Sequence, residues 1–218
     1  MAKKTLILIG AGPGLGNAVA REFAAHDFRV ALVARRADKL QECENEMKAE
    51  GIEVMTCVGD AAKPVTLTAA IDEVRKAWGT PDALVYNVGN TSLDGDREIT
   101  SELLMERYQV DAASAYHCAN IVATDEFAEK KGAIIFTGGG FAKTFQPIMV
   151  LIPLCIDKAA LNAMNIILHH KLEPKGIFVG SVIVNGVIDP ENETHSPEFI
   201  AKKYWQMYTE RTEFEMVV

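Results

Sequence analysis

The strongest constraint on this chain lies near its amino terminus, where residues 5–16 read TLILIGAGPGLG. A short apolar run over 6–9 stops at Gly10, Gly14 and Gly16, and Ala18, Val19, Phe23 and Ala24 follow at helical spacing. The pattern is a strand, a tight glycine turn and a helix. Such a turn aims the free N–H groups of the helix's first turn beyond the strand's end. Those donors and the positive end of the helix dipole suit a phosphate. One glycine permits the turn, one admits a diphosphate to the backbone, and one lets helix and strand pack closely. The spacing is GxxxGxG rather than GxGxxG, so its meaning rests on context. Here a strand precedes it and a helix follows.

Strand and helix patterns then alternate. Strands are expected over 28–34, 53–58, 83–87, 133–137 and 178–184, with a last short one at 213–217. Helices are expected over 38–50, 65–78, 155–173 and 198–208, and one long helix or two abutting ones over 101–127. The strands are apolar and β-branched (VALVA, AIIF, SVIV), which fits burial on both faces. Repeated βα units imply an α/β fold: a Rossmann-type, doubly wound parallel sheet. The 218 residues suit a single domain over 1–218, and no linker or low-complexity stretch divides them.

Ligands of such sheets bind beyond the strands' C-terminal ends, so the residues after each strand carry the chemistry. After the second strand come Arg35 and Arg36. An acidic residue near here would hold a ribose 2′-hydroxyl, whereas arginine grips a 2′-phosphate through paired hydrogen bonds. NADP(H) is therefore expected over NAD(H). After the third strand comes Asp60, which either accepts from an adenine amino group or caps the helix near Val65. After the fourth come Asn87, Val88 and Gly89, where the glycine either admits a ribose or only turns the chain.

Composition removes other classes. A net charge of −8 leaves no basic face for nucleic acid. The longest apolar run, 148–156, is far short of a membrane span and contains Pro153. The 4 cysteines form no CxxC pair and read as reduced thiols of a cytoplasmic protein. The adjacent His169 and His170 point apart on a helix, so no metal site is expected.

Together these residues resemble the short-chain dehydrogenase/reductase family over nearly the whole chain. Its TGxxxGxG turn corresponds to 9–16, so Gly10, Pro13, Gly14, Leu15 and Gly16 are the implied diphosphate residues. Its adenine-site aspartate corresponds to Asp60, followed by Ala61, and its NNAG motif to 86–89. The lysine of its YxxxK motif resembles Lys158, which would hold the nicotinamide ribose. Its PG after strand six resembles Asn185-Gly186, which sets Val187 and Ile188 against the carboxamide. The resemblance implies hydride transfer between NAD(P)H and a carbonyl or alcohol. It also implies a homodimer or homotetramer built through the helices around 103–127 and 155–172.

The catalytic positions depart from the family. The tyrosine slot is Leu154, the serine slot falls on Gly139 (or Gly138), and the asparagine slot is Asp111. A placed general acid or base contributes about 10²–10⁴-fold in rate, roughly 3–5 kcal/mol of barrier, and leucine supplies no proton. The usual route is crippled unless Tyr116, Cys155, Asp157 or Thr144 donates. Of these, Tyr116 reads as helix packing, Cys155 as a small buried hydrophobe and Asp157 as solvent-facing or a companion of Lys158. Asp111 is expected to form an ion pair with Lys158, direct or water-bridged, that keeps the lysine protonated. Asp111 and Lys158 are thus the candidate catalytic pair. Phe141, Phe145, Met149, Leu151, Ile152 and Leu154 are expected to fill the space opposite the nicotinamide, the alternative being a pocket for an apolar ligand. Two functions follow: an oxidoreductase with an altered proton relay, or a silent NADP(H)-binding sensor or partner subunit.

Overall fold

The computed structural model describes residues 3–142 and 148–218. A parallel 7-stranded sheet forms the centre, in the order β3-β2-β1-β4-β5-β6-β7. Its strands are β1 (Lys4–Ile9), β2 (Phe28–Ala34), β3 (Val54–Val58), β4 (Ala83–Tyr86), β5 (Ala133–Gly139), β6 (Phe178–Val184) and β7 (Glu215–Val217). The helices are α1 (Leu15–Ala24), α2 (Ala37–Ala49), α3 (Pro64–Trp78), α4 (Ser101–Tyr108), α5 (Ser114–Val122), α6 (Asp125–Glu129), α7 (Ile152–Leu172) and α8 (Pro197–Glu210). The expected doubly wound architecture is present.

Period-two alternation explains the layering. In β1, Leu6 and Leu8 pack beneath α1, α2 and α8, while Ile7 and Ile9 pack beneath α3, α5 and α7. On the first face Phe23 of α1 meets Phe28 and Trp205 edge-on, at ring centroids 5.2 and 5.4 Å apart. Burying Phe23 and Phe28 fully stabilises the fold by about 1.5–3 kcal/mol each, and Trp205 is partly buried against them. Among the described residues no helix is long and apolar enough to cross a membrane.

Several boundaries differ from expectation. The segment 101–127 is neither one helix nor two abutting ones. A π-helical turn over Gln109–Ala113 separates α4 from α5, and α6 starts anew behind Thr124, whose hydroxyl accepts the Phe127 N–H. Distant partners hold the π turn: the Tyr86 hydroxyl donates to the Val110 carbonyl at 2.6 Å, and Asp111 Oδ1 accepts the Asn90 N–H at 2.9 Å. β5 runs on to Gly139 because Gly138 and Gly139 pair with Ile183 and Val184. α7 begins at Ile152, with Pro153 in its first turn, where its missing N–H costs nothing.

The sheet order reverses between β1 and β4, and the crevice of such a sheet opens at that switch point. Gly10 sits there with φ +92, and a Cβ on it would lie 2.4 Å from the Asn87 carbonyl oxygen. Gly10→Ala therefore meets both a left-handed backbone and a backbone clash. The expected loss is about 3 kcal/mol or more of stability in equilibrium urea unfolding. A variant with the wild-type midpoint would contradict this account of the turn.

Candidate functional site

A cleft of about 500 Å³ opens over the C-terminal ends of β1, β2, β3 and β4. The structure brings Gly10, Pro13, Arg35, Arg36, Asp60, Ala61, Asn87, Val88 and Gly89 together along its walls. Of the other turn residues, Gly14 stands at the N-cap of α1 with φ +95, and no side chain caps that helix. Leu15 is buried in the core, and Gly16 packs against the Gly10 carbonyl, 2.7 Å from where its Cβ would be. The first N–H groups of α1 thus keep their capacity for an anion.

Gly12 stands in the same turn, outside the GxxxGxG glycines. It lines the cleft, has open space where a Cβ would sit, and donates its N–H to Asn17 Oδ1 at 3.2 Å. Lys39, Gly59, Ala62, Thr91 and Ser92 also line the cleft without having been anticipated. Lys39 had a signal, since it lies one helical turn beyond Arg35 and Arg36.

Asp60 does not cap α3. The N-cap residue is Lys63, with no side-chain cap. Asp60 Oδ1 instead accepts the Ala62 N–H at 3.0 Å, which holds the carboxylate at the cleft wall. Arg35 and Arg36 are exposed at the mouth, and among the described residues no carboxylate pairs with either.

Beneath the floor runs a half-buried chain of hydrogen bonds. The Thr137 hydroxyl donates to Asn87 Oδ1 at 2.9 Å, so the Tyr204 hydroxyl, 2.7 Å away, must donate to Thr137. Asn87 Nδ2 donates to the Gly10 carbonyl at 3.1 Å. The Asn87 side chain thus ties β4 and β5 to the glycine turn.

Lys158 lies buried behind Gly89 and does not itself line the cleft. Its Nζ donates to the Val88 carbonyl at 3.0 Å and the Thr137 carbonyl at 2.8 Å. It lies 3.4 Å from the position of a Cβ on Gly89, and Leu154 Cδ1 lies 3.9 Å from the same point. The expected direct ion pair between Asp111 and Lys158 does not form, because backbone carbonyls take the ammonium. Asp111 has Arg107 Nε at 3.9 Å instead, and the Arg107 guanidinium also donates to the Asn90 carbonyl. Burial lowers the Lys158 pKa to about 8, and the charges of Asp111 and Asp157 only oppose this. The carboxylates therefore do not hold the lysine firmly protonated. Burial also raises the Asp111 pKa, against Lys158, the Asn90 N–H and Arg107.

The vacancies are filled. Leu154 is buried in the tyrosine slot. A Cβ on Gly139 would lie 2.7 Å from the Phe141 ring, and one on Gly138 would lie 2.8 Å from Ser181 Oγ. Neither position has room for a serine side chain. Among the alternative donors, Cys155 is buried as expected, but Asp157 faces the interior, only 1% exposed. Tyr116 is not packed away: its ring is partly exposed beneath Lys171 Nζ, 5.9 Å from the centroid. Thr144 and Phe145 lie outside the described residues. Of the described residues in the segment expected to fill the substrate space, Leu154 is buried, the Phe141 ring packs over Gly139, and Leu151 and Ile152 are half-buried. Met149 is 69% exposed, and Ile148 and Val150 are exposed beside it. Val187 is 83% exposed and Ile188 is exposed with it, and neither lines the cleft.

This geometry defines a doubly wound, Rossmann-type α/β fold with a cleft at its glycine turn. The short chain dehydrogenase profile matches residues 4–199, and the chain belongs to that family. A protein assigned as ketoacyl reductase 1 of the granaticin polyketide synthase of Streptomyces violaceoruber is 29% identical over 216 residues, 97% of this chain and 77% of that protein. The inactive hydroxysteroid dehydrogenase-like protein 1 of Mus musculus is 27% identical over 180 residues, 81% of this chain. The chain spans only 54% of that relative's length. L-sorbose reductase from Gluconobacter frateurii, solved with NADPH and L-sorbose, shares the fold with a TM-score of 0.88 at 23% identity, covering 100% of this chain and 95% of its own.

Asp157 yields a stability test. Among the described residues neither of its oxygens accepts a hydrogen bond. Burial first, and then the charge of Asp111, push its carboxyl up to about 7, against Arg107 and Lys158. The folded state thus keeps a proton that the unfolded state releases near pH 4. Stability from this group falls as pH rises from about 4 to about 7, and is level above. Asp157→Asn removes the dependence. The expected gain in urea unfolding is on the order of 2 kcal/mol at pH 8, shrinking toward zero near pH 4. A difference that stays constant with pH would show that Asp157 titrates normally.

Proposed function

We propose that this chain binds NADP(H) across the cleft and works as an oxidoreductase that exchanges hydride with a carbonyl or alcohol, using an altered proton relay. The observation that carries the reading is the cleft itself: uncapped amides at the start of α1, open space at Gly12 and Gly14, and two exposed arginines at the far wall that no carboxylate pairs among the described residues. That donor set fits a diphosphate and a 2′-phosphate. When bound, the nicotinamide supplies or accepts the hydride.

The chain's own groups do the rest. The turn from Gly10 to Gly16 holds the diphosphate, Arg35 and Arg36 the 2′-phosphate, and Asp60 with Ala61 the adenine edge. Asn87, Val88 and Gly89 floor the ribose. Lys158 has three N–H donors and gives two to carbonyls, which leaves one for the ribose hydroxyls. With a pKa of about 8 it also exchanges a proton near neutrality. Asp111 tunes it at longer range. Val187 and Ile188 fold over the carboxamide side. The exposed Ile148, Met149 and Val150 support an apolar carbonyl or alcohol as the ligand. Exposed Met105, Ile156 and Ile167 on α4 and α7 support a homodimer or homotetramer.

A second reading has a specific observation behind it. Leu154, and the Phe141 ring over Gly139, close the tyrosine and serine slots, which favours a silent NADP(H)-binding sensor or partner subunit. The readings separate on turnover. The enzyme reading expects stereospecific NADPH consumption with at least one member of a panel of apolar ketones and aldehydes, lost in Lys158→Met. NADPH binding with no turnover across the panel would favour the silent reading.

The arginines give a finer test. Losing charge-assisted contacts worth about 1.5–3 kcal/mol raises the NADPH dissociation constant of an Arg35→Ala/Arg36→Ala variant by roughly tenfold or more. The NADH constant should stay within a factor of about two. Equal loss for both cofactors would remove the 2′-phosphate assignment.

A further inference from the structure

One grouping of three potential metal ligands exists among the described residues: His169, His170 and Glu173, whose ligand atoms all lie within 4.8 Å of one another. It sits at the C-terminal end of α7, about 16 Å along the helix from Lys158 at 1.5 Å per residue. It belongs neither to the cleft nor to the proton relay.

The local geometry is that of a prepared ligand. His169 Nδ1 lies 2.9 Å from the Val179 carbonyl oxygen in β6. A carbonyl can only accept, so Nδ1 carries the proton and Nε2 presents its lone pair. The ring is stacked on Phe214, with centroids 4.3 Å apart and planes at 21°. Nε2 stands 3.9 Å from Glu173 Oε2. The adjacent histidines do point apart, but Glu173 lies three residues from one and four from the other, so it bridges both. Zinc bonds of about 2.0–2.2 Å put tetrahedral ligand atoms roughly 3.3 Å apart. His170 and Glu173 are exposed, and small rotations of their side chains close that gap. The helix C-terminus adds partial negative charge that favours a cation.

We propose that His169, His170 and Glu173 bind one divalent first-row transition ion of the zinc class. Two imidazoles and a carboxylate suit zinc, nickel or copper rather than magnesium or calcium. Solvent completes the coordination. The ion pins the end of α7 to β6 through the His169–Val179 bond, and to the segment before β7 through Phe214. Without an ion, His169 and Glu173 are only a surface pair worth about 0–1 kcal/mol.

The test uses the whole chain, free of any affinity tag and stripped with chelator. Calorimetric titration with zinc chloride is expected to give one ion per chain, and thermal unfolding is expected to shift upward with zinc. Magnesium chloride should produce neither effect. His170→Ala and Glu173→Gln alter exposed side chains, so the metal-free melting temperature should hold. Each should weaken zinc binding by about tenfold or more. Two results overturn the proposal: no zinc binding at millimolar concentration, or unchanged zinc affinity in the double variant, which would put the ion elsewhere.

Discussion

Where β1 ends, its backbone passes so close to the end of β4 that not even a methyl group fits between Gly10 and the Asn87 carbonyl. The rest of the molecule is arranged around this approach. It lets the chain leave β1 in one direction while β4 leaves in the other, which opens the crevice. Asn87 then uses both ends of its amide, donating to the Gly10 carbonyl and accepting from Thr137. Tyr204 of α8, packed on the face that also carries α1, completes the chain. A helix far along the sequence thus helps hold the turn that starts the chain. The polar groups under the cleft floor are satisfied by one another, which leaves the amides above free for a ligand.

The buried charges around Lys158 follow from the same floor. Arg107, Asp111, Asp157 and Lys158 are all nearly inaccessible. Burying charge is expensive unless it is paired. This chain divides the cost. The lysine gives its N–H groups to strand-end carbonyls, Asp111 takes the Asn90 N–H, and Arg107 takes the Asn90 carbonyl. Asp157 accepts no hydrogen bond among the described residues, and its carboxyl is pushed up to about 7. The shifts of Lys158 and Asp157 in opposite directions toward neutrality share their largest cause, desolvation, to which the charge of Asp111 adds for Asp157.

Much of the fold was legible because strands buried on both faces read as continuous apolar runs, and glycines mark where they stop. β2 and β6 match their expected limits residue for residue. The glycine turn, Arg35, Arg36 and 87–89 were legible because position after a strand is fixed by the chain itself. The misses come from contacts that residue spacing alone does not show. The π turn at Asp111 is held by Tyr86 and Asn90. Asp60 turned to its neighbour Ala62 rather than to α3. Lys158 found carbonyls of β4 and β5 before it found a carboxylate. Phe141 closed the space above Gly139, so an absent serine became a packed position and not an open one.

The account's central claim is that the turn after β1 holds a dinucleotide through main-chain amides. Calorimetric titration of the unmodified chain with NADPH tests it most directly. The account predicts saturable binding of one NADPH per chain, with competition by NADP⁺ and by 2′,5′-ADP. The absence of heat from NADPH, NADP⁺, NADH and NAD⁺ alike, up to millimolar concentration, would contradict it and leave the glycine turn a purely structural device.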